Sequence, residues 1–379
     1  MRSEHLADSQ RIRSLDGLRA IAILLVMLHH MTPNHDSNKG LSSLLFKVAD
    51  IGWSGVDLFF VLSGFLITGI LLRAKDFGKP LATFFVRRIR RIVPAYVLAL
   101  VVVFFVVPFY FQWYDVPPAA RQLPYWLYAS NYFRASWEPL NDLFGMSHFW
   151  SLAVEMQFYL AWPFLVRYFS LAALQRAIFV GLIIALVARF VLTIVDANWT
   201  TTFAYLPCRM DGLLAGALVA TWVHTGFIDR AGLRKFAVGT FLAGLLILAI
   251  CVWQDLAISI FRGRDTKIDV TLRTLYPTLF AMTYGSALVL ALTWSPFAAP
   301  LRARGMGVLA KYSYGAYIIH YLLLPLFILW FGPATLGDKF GISGDATIYL
   351  FFVIASIVTY AAAAVSFHTV EQRFMTMNR

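Results

Sequence analysis

One arginine and one histidine of this sequence stand at a spacing that suits acid–base chemistry beside a charged ligand. Arg19 and His30 are eleven positions apart in an otherwise apolar run. In an α-helix, that separation returns to the same face after about three turns and about 16 Å. A neutral imidazole is a suitable general base for a hydroxyl group. His30 is therefore a candidate base, and the alternative is a histidine hydrogen-bonded between helices.

Four arginines in the stretch FFVRRIRRIVPAY are candidates for binding phosphate. Arg87 and Arg90 form one pair at i,i+3 spacing, and Arg88 and Arg91 form another on an adjoining helix face. Guanidinium groups bind phosphate oxygens through paired hydrogen bonds, and the N-terminal end of a helix favours an anion. The quartet is therefore a candidate phosphate clamp, and the alternative is a positive anchor at the membrane surface.

One carboxylate, Glu155, lies about nine residues from the end of its apolar run, close to the expected depth of His30. At that depth it could orient the imidazole and stabilise its charged form. It could instead pair with Arg209, whose own apolar run also carries Asp211. A buried charge without a partner costs several kcal/mol, so we expect one of these partnerships to form.

Other polar side chains inside apolar runs are candidates for binding the acceptor or supporting the structure, because ionisable groups are expensive inside a membrane. They are Asp57, Ser151, His148, Arg209, Asp211 and His320. The histidines and cysteines do not show the spacing of metal ligands, so the sequence predicts no metal site.

These residues have to be positioned by helices that cross a membrane, because the composition excludes the other common classes. The chain has 379 residues, of which 60% are hydrophobic and 14% are charged. Soluble domains have about 45–50% apolar and about 25% charged residues, and disordered chains are more polar still. Two cysteines are too few for a disulfide-stapled secreted domain. The predicted fold class is therefore an all-α, polytopic membrane bundle.

Apolar runs bounded by charged residues, proline or glycine predict ten membrane-spanning helices. They are Leu18–Pro33, Gly52–Leu72, Phe84–Pro108, Met146–Val166, Ala177–Val195, Phe203–Val223, Phe236–Trp253, Leu275–Trp294, Tyr312–Phe331 and Ile348–Phe367. The fourth run has low hydropathy because it contains His148 and Glu155. The longest connection, Phe109–Gly145, is rich in aromatic residues and is expected to lie at the membrane surface.

The net charge of +12 is explained by the positive-inside rule without a nucleic-acid partner. With the N-terminus inside, 21 Lys and Arg residues fall in cytoplasmic segments and 9 in external segments. Both termini are therefore expected to be cytoplasmic. The N-terminus does not have the pattern of a secretory signal peptide. We expect a cytoplasmic N-terminal segment at 1–13, a transmembrane domain at 14–374 and a cytoplasmic tail at 375–379.

The order of these motifs resembles the membrane-bound acyltransferase-3 family of bacterial O-acyltransferases. The resemblance extends from Ser14 to Phe374. Its motifs are LDGLRAIAILLVMLHH, GVDLFFVLSGFLITGIL, FFVRRIRRIVPAY, HFWSLAVEMQFYL, RMDGLLAGALVA, KYSYGAYIIHYLLLP and SFHTVEQRF. The resemblance implies an acyltransferase that is a multi-pass protein of the cytoplasmic (inner) membrane and modifies polysaccharide by O-acetylation.

The resemblance also implies roles for individual residues. His30 matches the catalytic histidine of the family, and Glu155 matches the acidic residue of its Ser-Leu-x-x-Glu stretch, with Ser151 beside it. Acyl-CoA binding falls on five arginines: Arg19, Arg88 and Arg91, together with Arg87 and Arg90, which share the spacing.

The mechanism expected from both lines of reasoning uses acyl-CoA, with acetyl the commonest acyl group in the family, as a donor substrate and requires no bound cofactor. Acyl-CoA binds at the cytoplasmic face, His30 deprotonates the acceptor hydroxyl, and Glu155 supports the imidazolium. The expected acceptor is a cell-envelope or exported glycan, or a lipid-linked saccharide. The alternatives are O-acylation of a small molecule, such as a macrolide or lipo-oligosaccharide, and a proton-coupled transporter.

Many members of the family carry an additional SGNH-type hydrolase domain after the last helices. This sequence ends at Arg379 without one. The resemblance therefore implies either an enzyme that acts alone or one that works with glycan-assembly partner proteins.

Overall fold

The computed structural model describes residues 12–32, 41–111, 116–133, 145–195, 199–253, 267–342 and 344–376. Every regular element within these ranges is a helix, which confirms the all-α prediction. Residues 1–11 of the expected N-terminal segment and residues 377–379 of the expected tail lie outside the described residues.

Ten long helices form the bundle. They are α1 (Arg13–Met31), α2 (Gly55–Asp76), α3 (Leu81–Val101), α4 (Phe149–Tyr168), α5 (Leu171–Ile194), α6 (Leu206–His224), α7 (Ala231–Trp253), α8 (Lys267–Thr293), α9 (Arg304–Leu322) and α10 (Asp345–Ser366). Successive helices alternate in direction. We call the end at which α1, α3 and α9 begin the arginine end, and the end at which they finish the histidine end.

Shorter helical segments connect or extend the long ones. The α-helical segments are Leu41–Asp50, Val107–Tyr110, Ala119–Trp126, Ser130–Phe133, Trp199–Ala204, Ser295–Leu301, Leu324–Phe331, Pro333–Phe340 and Gln372–Thr376. Two π-helical turns, Val102–Val106 and Phe367–Glu371, continue α3 and α10. Two 3-10 turns, Gly52–Ser54 and Phe227–Asp229, precede α2 and α7.

Eight helices of the described chain are long and apolar enough to cross a membrane, and a ninth span is made by two helices with a bend between them. Helix α4 is long enough for a span, with 20 residues, but its mean hydropathy is too low for it to be counted among these helices. It carries Glu155 and Gln157, which contact polar partners inside the bundle rather than lipid. Counting α4, the described chain supplies the ten spans that the apolar runs predict.

The ninth span is bent, whereas the sequence predicts one straight helix over Tyr312–Phe331. Helix α9 ends at Leu322, and the next helical part turns away by 62°. Pro325 follows the break, and it has no N–H to donate to the carbonyl of Tyr321, four residues earlier. The bend therefore follows from a proline. The apolar run did not reveal the bend, because one proline changes the hydropathy of a membrane helix only slightly.

The tightest packing joins α2 to α6 through glycines. A Cβ built on Gly64 would collide with the backbone carbonyl of Leu213, and one built on Gly216 would collide with that of Val61. Small residues at such crossings let two helix backbones approach closely, which is the main source of helix association in lipid. The pair α2 and α6 therefore forms a closely packed centre of the bundle, and α1 and α4 pack against it.

Because of this contact, we expect Gly64→Val to destabilise the protein, whereas Gly69→Val on the same helix should not. A Cβ at Gly69 meets its nearest atom, in Arg73, at 3.7 Å, an ordinary contact distance. Overpacking costs about 1–3 kcal/mol, and more where backbone must move. Thermal unfolding in detergent measures the difference. Equal melting temperatures for the two variants would contradict the close crossing of α2 and α6.

The aromatic connection between α3 and α4 packs partly inside the bundle, rather than lying wholly at the membrane surface. Tyr96 of α3 is fully buried, and its hydroxyl donates to the carbonyl of Tyr125 at 2.8 Å. Its ring stacks on Tyr128 with centroids 4.1 Å apart. On the other side, the Gln157 amide of α4 donates to the carbonyl of Tyr128 and to the Asn131 side chain, both at 2.8 Å. The connection therefore ties α3 to α4.

Candidate functional site

A narrow cavity of about 100 Å³ lies between α1, α2, α3, α4 and α9. Three of the predicted arginines stand in its lining, namely Arg19 of α1 and Arg88 and Arg91 of α3. Further along are the polar side chains of Ser63, Glu155 and Tyr159, and the cavity also reaches Ser151 and Tyr317. The structure thus brings together residues from five helices that the sequence could place only on separate helices.

A wider cavity of about 480 Å³ opens at the arginine end and shares Arg88 and Arg91 with the narrow cavity. We call it the arginine vestibule. Five cationic residues line it: Arg73, Lys79, Arg87, Arg88 and Arg91. None of its lining residues is acidic. The sequence did not identify Arg73 and Lys79 as site residues, because they served there only as positive charges that indicate the orientation in the membrane.

The structure separates the four arginines of α3 by the direction of their side chains. Arg88 lies with its guanidinium carbon 5.8 Å from the centre of the Phe84 ring and 6.0 Å from that of Tyr159. These contacts hold its planar group at the border of the two cavities. Arg87 lines only the vestibule, and Arg90 is absent from the linings of both cavities. The spacing of the quartet could not show this division.

Glu155 has neither of the partners expected from the sequence. Its Oε1 accepts a hydrogen bond from the hydroxyl of Ser63 at 2.7 Å, and its Oε2 accepts one from that of Tyr159 at 3.1 Å. Among the described residues, no hydrogen bond or ion pair joins it to His30 or to Arg209. The reason is rotational, because the Glu155 face of α4 is turned toward α2 and the narrow cavity. The expected support of the His30 imidazolium by Glu155 is therefore not what the geometry provides.

Ser151 and Tyr317 contact each other at the inner end of the narrow cavity through their hydroxyl groups. We call this pair the inner wall. The Ser151 hydroxyl also lies 2.9 Å from the carbonyl oxygen of His148, and the Tyr317 hydroxyl lies 3.2 Å from the same oxygen. His148 immediately precedes α4, and Ser151 and Glu155 follow it at i+3 and i+7, so the wall lies between the cavity carboxylate and a histidine.

Three histidines meet beyond the inner wall, and we call them the histidine cluster: His30, His148 and His320. The Nε2 atom of His320 lies 3.1 Å from Nδ1 of His30, and its ring centre lies 5.0 Å from that of His148. Close backbone contact positions His148, because Gly145 has φ +67° and leaves no space for a Cβ against the carbonyl of Tyr321. The sequence predicted each histidine singly but could not predict that they meet.

Four further buried charged residues form two ion pairs between helices. Arg209 Nη2 of α6 lies 2.8 Å from Asp57 Oδ1 of α2. Arg189 Nη1 of α5 lies 3.0 Å from Asp211 Oδ2 of α6, and its Nε donates to the carbonyl of Thr274 at 2.8 Å. These contacts tie α6 to its neighbours. Asp57, Arg209 and Asp211 are therefore partners in ion pairs between helices, and none of them lines the narrow cavity.

In the part of the chain that the structure describes, no group of three or more His, Cys, Asp or Glu side chains is arranged to hold a metal ion. The histidine cluster is included in that statement. Its three rings contact each other and backbone carbonyls, so their nitrogens are not directed at one common point.

Comparison with known proteins places the chain among acyltransferases. A family model described as "Acyltransferase domain" matches residues 12–367. YrhL of Bacillus subtilis (strain 168), named as a candidate peptidoglycan O-acetyltransferase, is 29% identical over 96% of this chain. The O-acetyltransferase OatA of Staphylococcus aureus (strain NCTC 8325 / PS 47) is 25% identical over 98% of it. The peptidoglycan O-acetyltransferase OatA of Listeria monocytogenes (strain EGD-e) is 38% identical over 40% of it.

The chain matches only part of each of these relatives. It covers 55% of YrhL, 58% of the Staphylococcus aureus protein and 24% of the Listeria monocytogenes protein. No solved structure matches the chain.

Proposed function

This chain belongs to the acyltransferase family, and on that premise we propose that it transfers an acetyl group from acetyl-CoA to a hydroxyl of a cell-envelope glycan. The observation that carries the proposal is the narrow cavity, which leads from three arginines to the inner wall in front of the histidine cluster. An enzyme that uses an anionic donor and a general base needs both features. The names of the relatives favour peptidoglycan as the glycan.

The donor is proposed to bind with its phosphates in the arginine vestibule and its pantetheine arm in the narrow cavity. Acyl-CoA carries its negative charge at the nucleotide end, whereas the pantetheine arm is thin and uncharged. The vestibule offers five cations, and the narrow cavity is lined mainly by apolar and hydroxyl side chains. Arg88 and Arg91 stand where the two cavities meet, so they are placed to hold the phosphate nearest the arm.

This binding mode sets the orientation in the membrane. Acyl-CoA is a cytoplasmic metabolite, so the arginine end is proposed to face the cytoplasm and the histidine end the opposite side. The excess of Lys and Arg in the segments at the arginine end supports the same orientation. We therefore propose that the protein is a multi-pass protein of the cytoplasmic (inner) membrane.

In the proposed reaction, His30 removes the proton of the acceptor hydroxyl as the hydroxyl oxygen attacks the thioester carbonyl. A C–O bond forms, the C–S bond breaks, and CoA leaves as a thiol after the proton passes from His30 to its sulfur. The inner wall separates the narrow cavity from His30. Ser151 and Tyr317 therefore have to move apart for the acetyl group to meet the acceptor.

Glu155 is proposed to organise the donor cavity. Its carboxylate accepts hydrogen bonds from Ser63 and Tyr159, and the Tyr159 ring lies beneath the guanidinium of Arg88. These contacts connect α2, α4 and α3 around the path of the pantetheine arm. Glu155 thus acts on Arg88 through Tyr159, and its distance from the histidine cluster leaves the base to be oriented by another group.

We expect Arg88→Ala to weaken acetyl-CoA binding by about 10- to 100-fold, because hydrogen bonds to a charged group contribute about 1.5–3 kcal/mol each. Arg90→Ala, on the same helix but outside both cavity linings, is the matched control and should change the affinity by less than about threefold. Isothermal titration of the purified protein in nanodiscs with acetyl-CoA measures both values. An Arg88→Ala variant that binds acetyl-CoA as tightly as the wild type would mean that the quartet is only a membrane anchor.

The function itself is tested in proteoliposomes with radiolabelled acetyl-CoA on one side and an N-acetylglucosamine oligosaccharide on the other. We expect alkali-labile acetyl esters on the oligosaccharide only when both are present. A wild-type protein that neither binds acetyl-CoA nor forms these esters would contradict the proposal.

A further inference from the structure

The hydrogen bonds of His320 determine which of its nitrogens carries the proton. This side chain is fully buried. Its Nδ1 lies 2.7 Å from the carbonyl oxygen of Tyr317 and 3.2 Å from that of Ala316. A carbonyl oxygen can only accept, so Nδ1 of His320 must be the donor. In the neutral ring, Nε2 is then the acceptor.

His30 meets that acceptor with its own Nδ1. The atom lies 3.1 Å from Nε2 of His320 and 3.0 Å from the carbonyl oxygen of Val26. Both neighbours are acceptors, so Nδ1 of His30 carries a proton and donates it. The lone pair of neutral His30 is therefore on Nε2, to which the described residues make no hydrogen bond.

We propose that His320 is the positioning residue of the base: together with the backbone carbonyl of Val26, it holds His30 in the tautomer whose Nε2 can take the acceptor proton. This inference rests on the proposed function. It assigns to His320 the part that the sequence reasoning gave to Glu155, that of the third group which orients a base. His320 is a positioning residue because it acts on the acceptor only through His30.

The transfer step leaves this hydrogen bond in place. The hydroxyl proton moves to Nε2 of His30, while the proton on Nδ1 stays bonded to Nε2 of His320. The bond then becomes charge-assisted, which stabilises the imidazolium. When the proton passes to the sulfur of CoA, the pair returns to its starting state. A neutral imidazole performs this role without placing a permanent negative charge inside the membrane.

The groups that surround His30 are compatible with a neutral, oriented ring. His29 precedes it on α1, with ring centres 5.1 Å apart. From α9, the Tyr321 ring centre lies 4.5 Å away and that of His320 5.1 Å away. His148, which immediately precedes α4, contributes the fourth titratable ring of the group. None of these side chains is a carboxylate, so the orientation of His30 depends on hydrogen bonds between neutral groups.

The tautomer is measured directly by ¹⁵N NMR of the full chain in nanodiscs with labelled histidine, in which His30→Gln identifies the His30 signals. We expect protonated Nδ1 and unprotonated Nε2 in the wild type. In His320→Leu, the carbonyl of Val26 is the one described acceptor left for Nδ1 of His30, so the signals should shift part of the way toward a mixture of tautomers. A wild-type His30 that carries its proton on Nε2 would overturn the proposal, and this result needs no variant of His320.

Activity supplies the second readout. We expect His320→Leu to lower kcat about 100-fold with an unchanged KM for acetyl-CoA, within the range of general base catalysis. His320→Gln should recover much of kcat, because its amide oxygen can accept from Nδ1 of His30. The matched control is His29→Gln, since the His29 ring bonds the carbonyl of Ala49 instead.

Two results with the variants would count against the proposal, and a third would count against the proposed function. A His320→Leu variant with wild-type kcat would overturn the role of His320. If His320→Leu does not fold, the proposal is tested with His320→Gln instead. Loss of acetyl transfer in His320→Gln, together with loss of the signal from Nδ1-protonated His30, would overturn the proposal. A wild type that binds acetyl-CoA but transfers nothing would overturn the proposed function instead, whichever tautomer the NMR shows.

Discussion

His30→Ala is expected to lower kcat for acetyl transfer by about 10³-fold while acetyl-CoA binds as tightly as to the wild type. General base catalysis contributes about 10²–10⁴-fold, and no other histidine of the cluster offers its ring in the same place. The donor arginines stand on the other side of the inner wall, so the substitution leaves them undisturbed. Initial rates of ester formation, together with titration of acetyl-CoA binding, separate the two effects.

The matched control for this prediction is His368→Ala. His368 is exposed near the arginine end, where its Nε2 lies 3.2 Å from the Tyr312 hydroxyl. We expect its loss to leave kcat within about threefold of the wild type. A His30→Ala variant that still transfers acetyl groups at a near wild-type rate would show that the base is elsewhere.

Arg209→Met is expected to destabilise the protein by about 3–5 kcal/mol, because it leaves the Asp57 carboxylate buried without its ion-pair partner. Arg209 is fully buried, and Asp57 is 1% exposed. Four aromatic rings surround the guanidinium, with centres 5.3–5.9 Å from its central carbon: Phe60, Trp150, Phe203 and Tyr276. Water cannot easily replace the lost partner there. Unfolding in detergent, followed by tryptophan fluorescence, measures the change.

The double variant Asp57→Leu/Arg209→Met tests whether the loss comes from the unpaired charge. An apolar pair of similar volume often replaces a buried ion pair at little cost, so we expect the double variant to recover most of the stability. Arg230→Met is the surface control, since Arg230 is exposed and lies over Phe227. A double variant no more stable than Arg209→Met would mean that the loss comes from the missing contacts between the guanidinium and the aromatic rings, rather than from the unpaired charge.

The arginines of α3 and the buried arginine of α6 differ in how well the sequence predicts their positions and partners. The spacing of Arg88 and Arg91 predicts that they share a face, because both belong to one helix whose geometry is regular. The partner of Arg209 was open among several acidic residues, since buried charges must pair but hydropathy does not say with which group. Helix rotation chose Asp57, and it turned Glu155 toward Ser63 instead.

The structure also decided which histidine supports another. The sequence placed His30 and His320 inside different apolar runs, as separate candidates. Their contact lies beside two backbone features at the end of α9, namely the bend before Pro325 and the close approach of Gly145 to Tyr321. Neither feature leaves a periodic pattern in the sequence, because each involves a single residue.

The all-α membrane class, the approximate spans, and the side chains on each helix that could do chemistry were predictable from the amino-acid sequence. These properties follow from composition and from periodicity along one chain segment, which are local. Which of those side chains meet became known from the packed bundle: Glu155 with Ser63, Arg209 with Asp57, and His30 with His320. Such pairs depend on the rotation and crossing of helices far apart in the chain. Those depend in turn on a few glycine contacts and one proline bend, so they emerge only when the whole bundle packs.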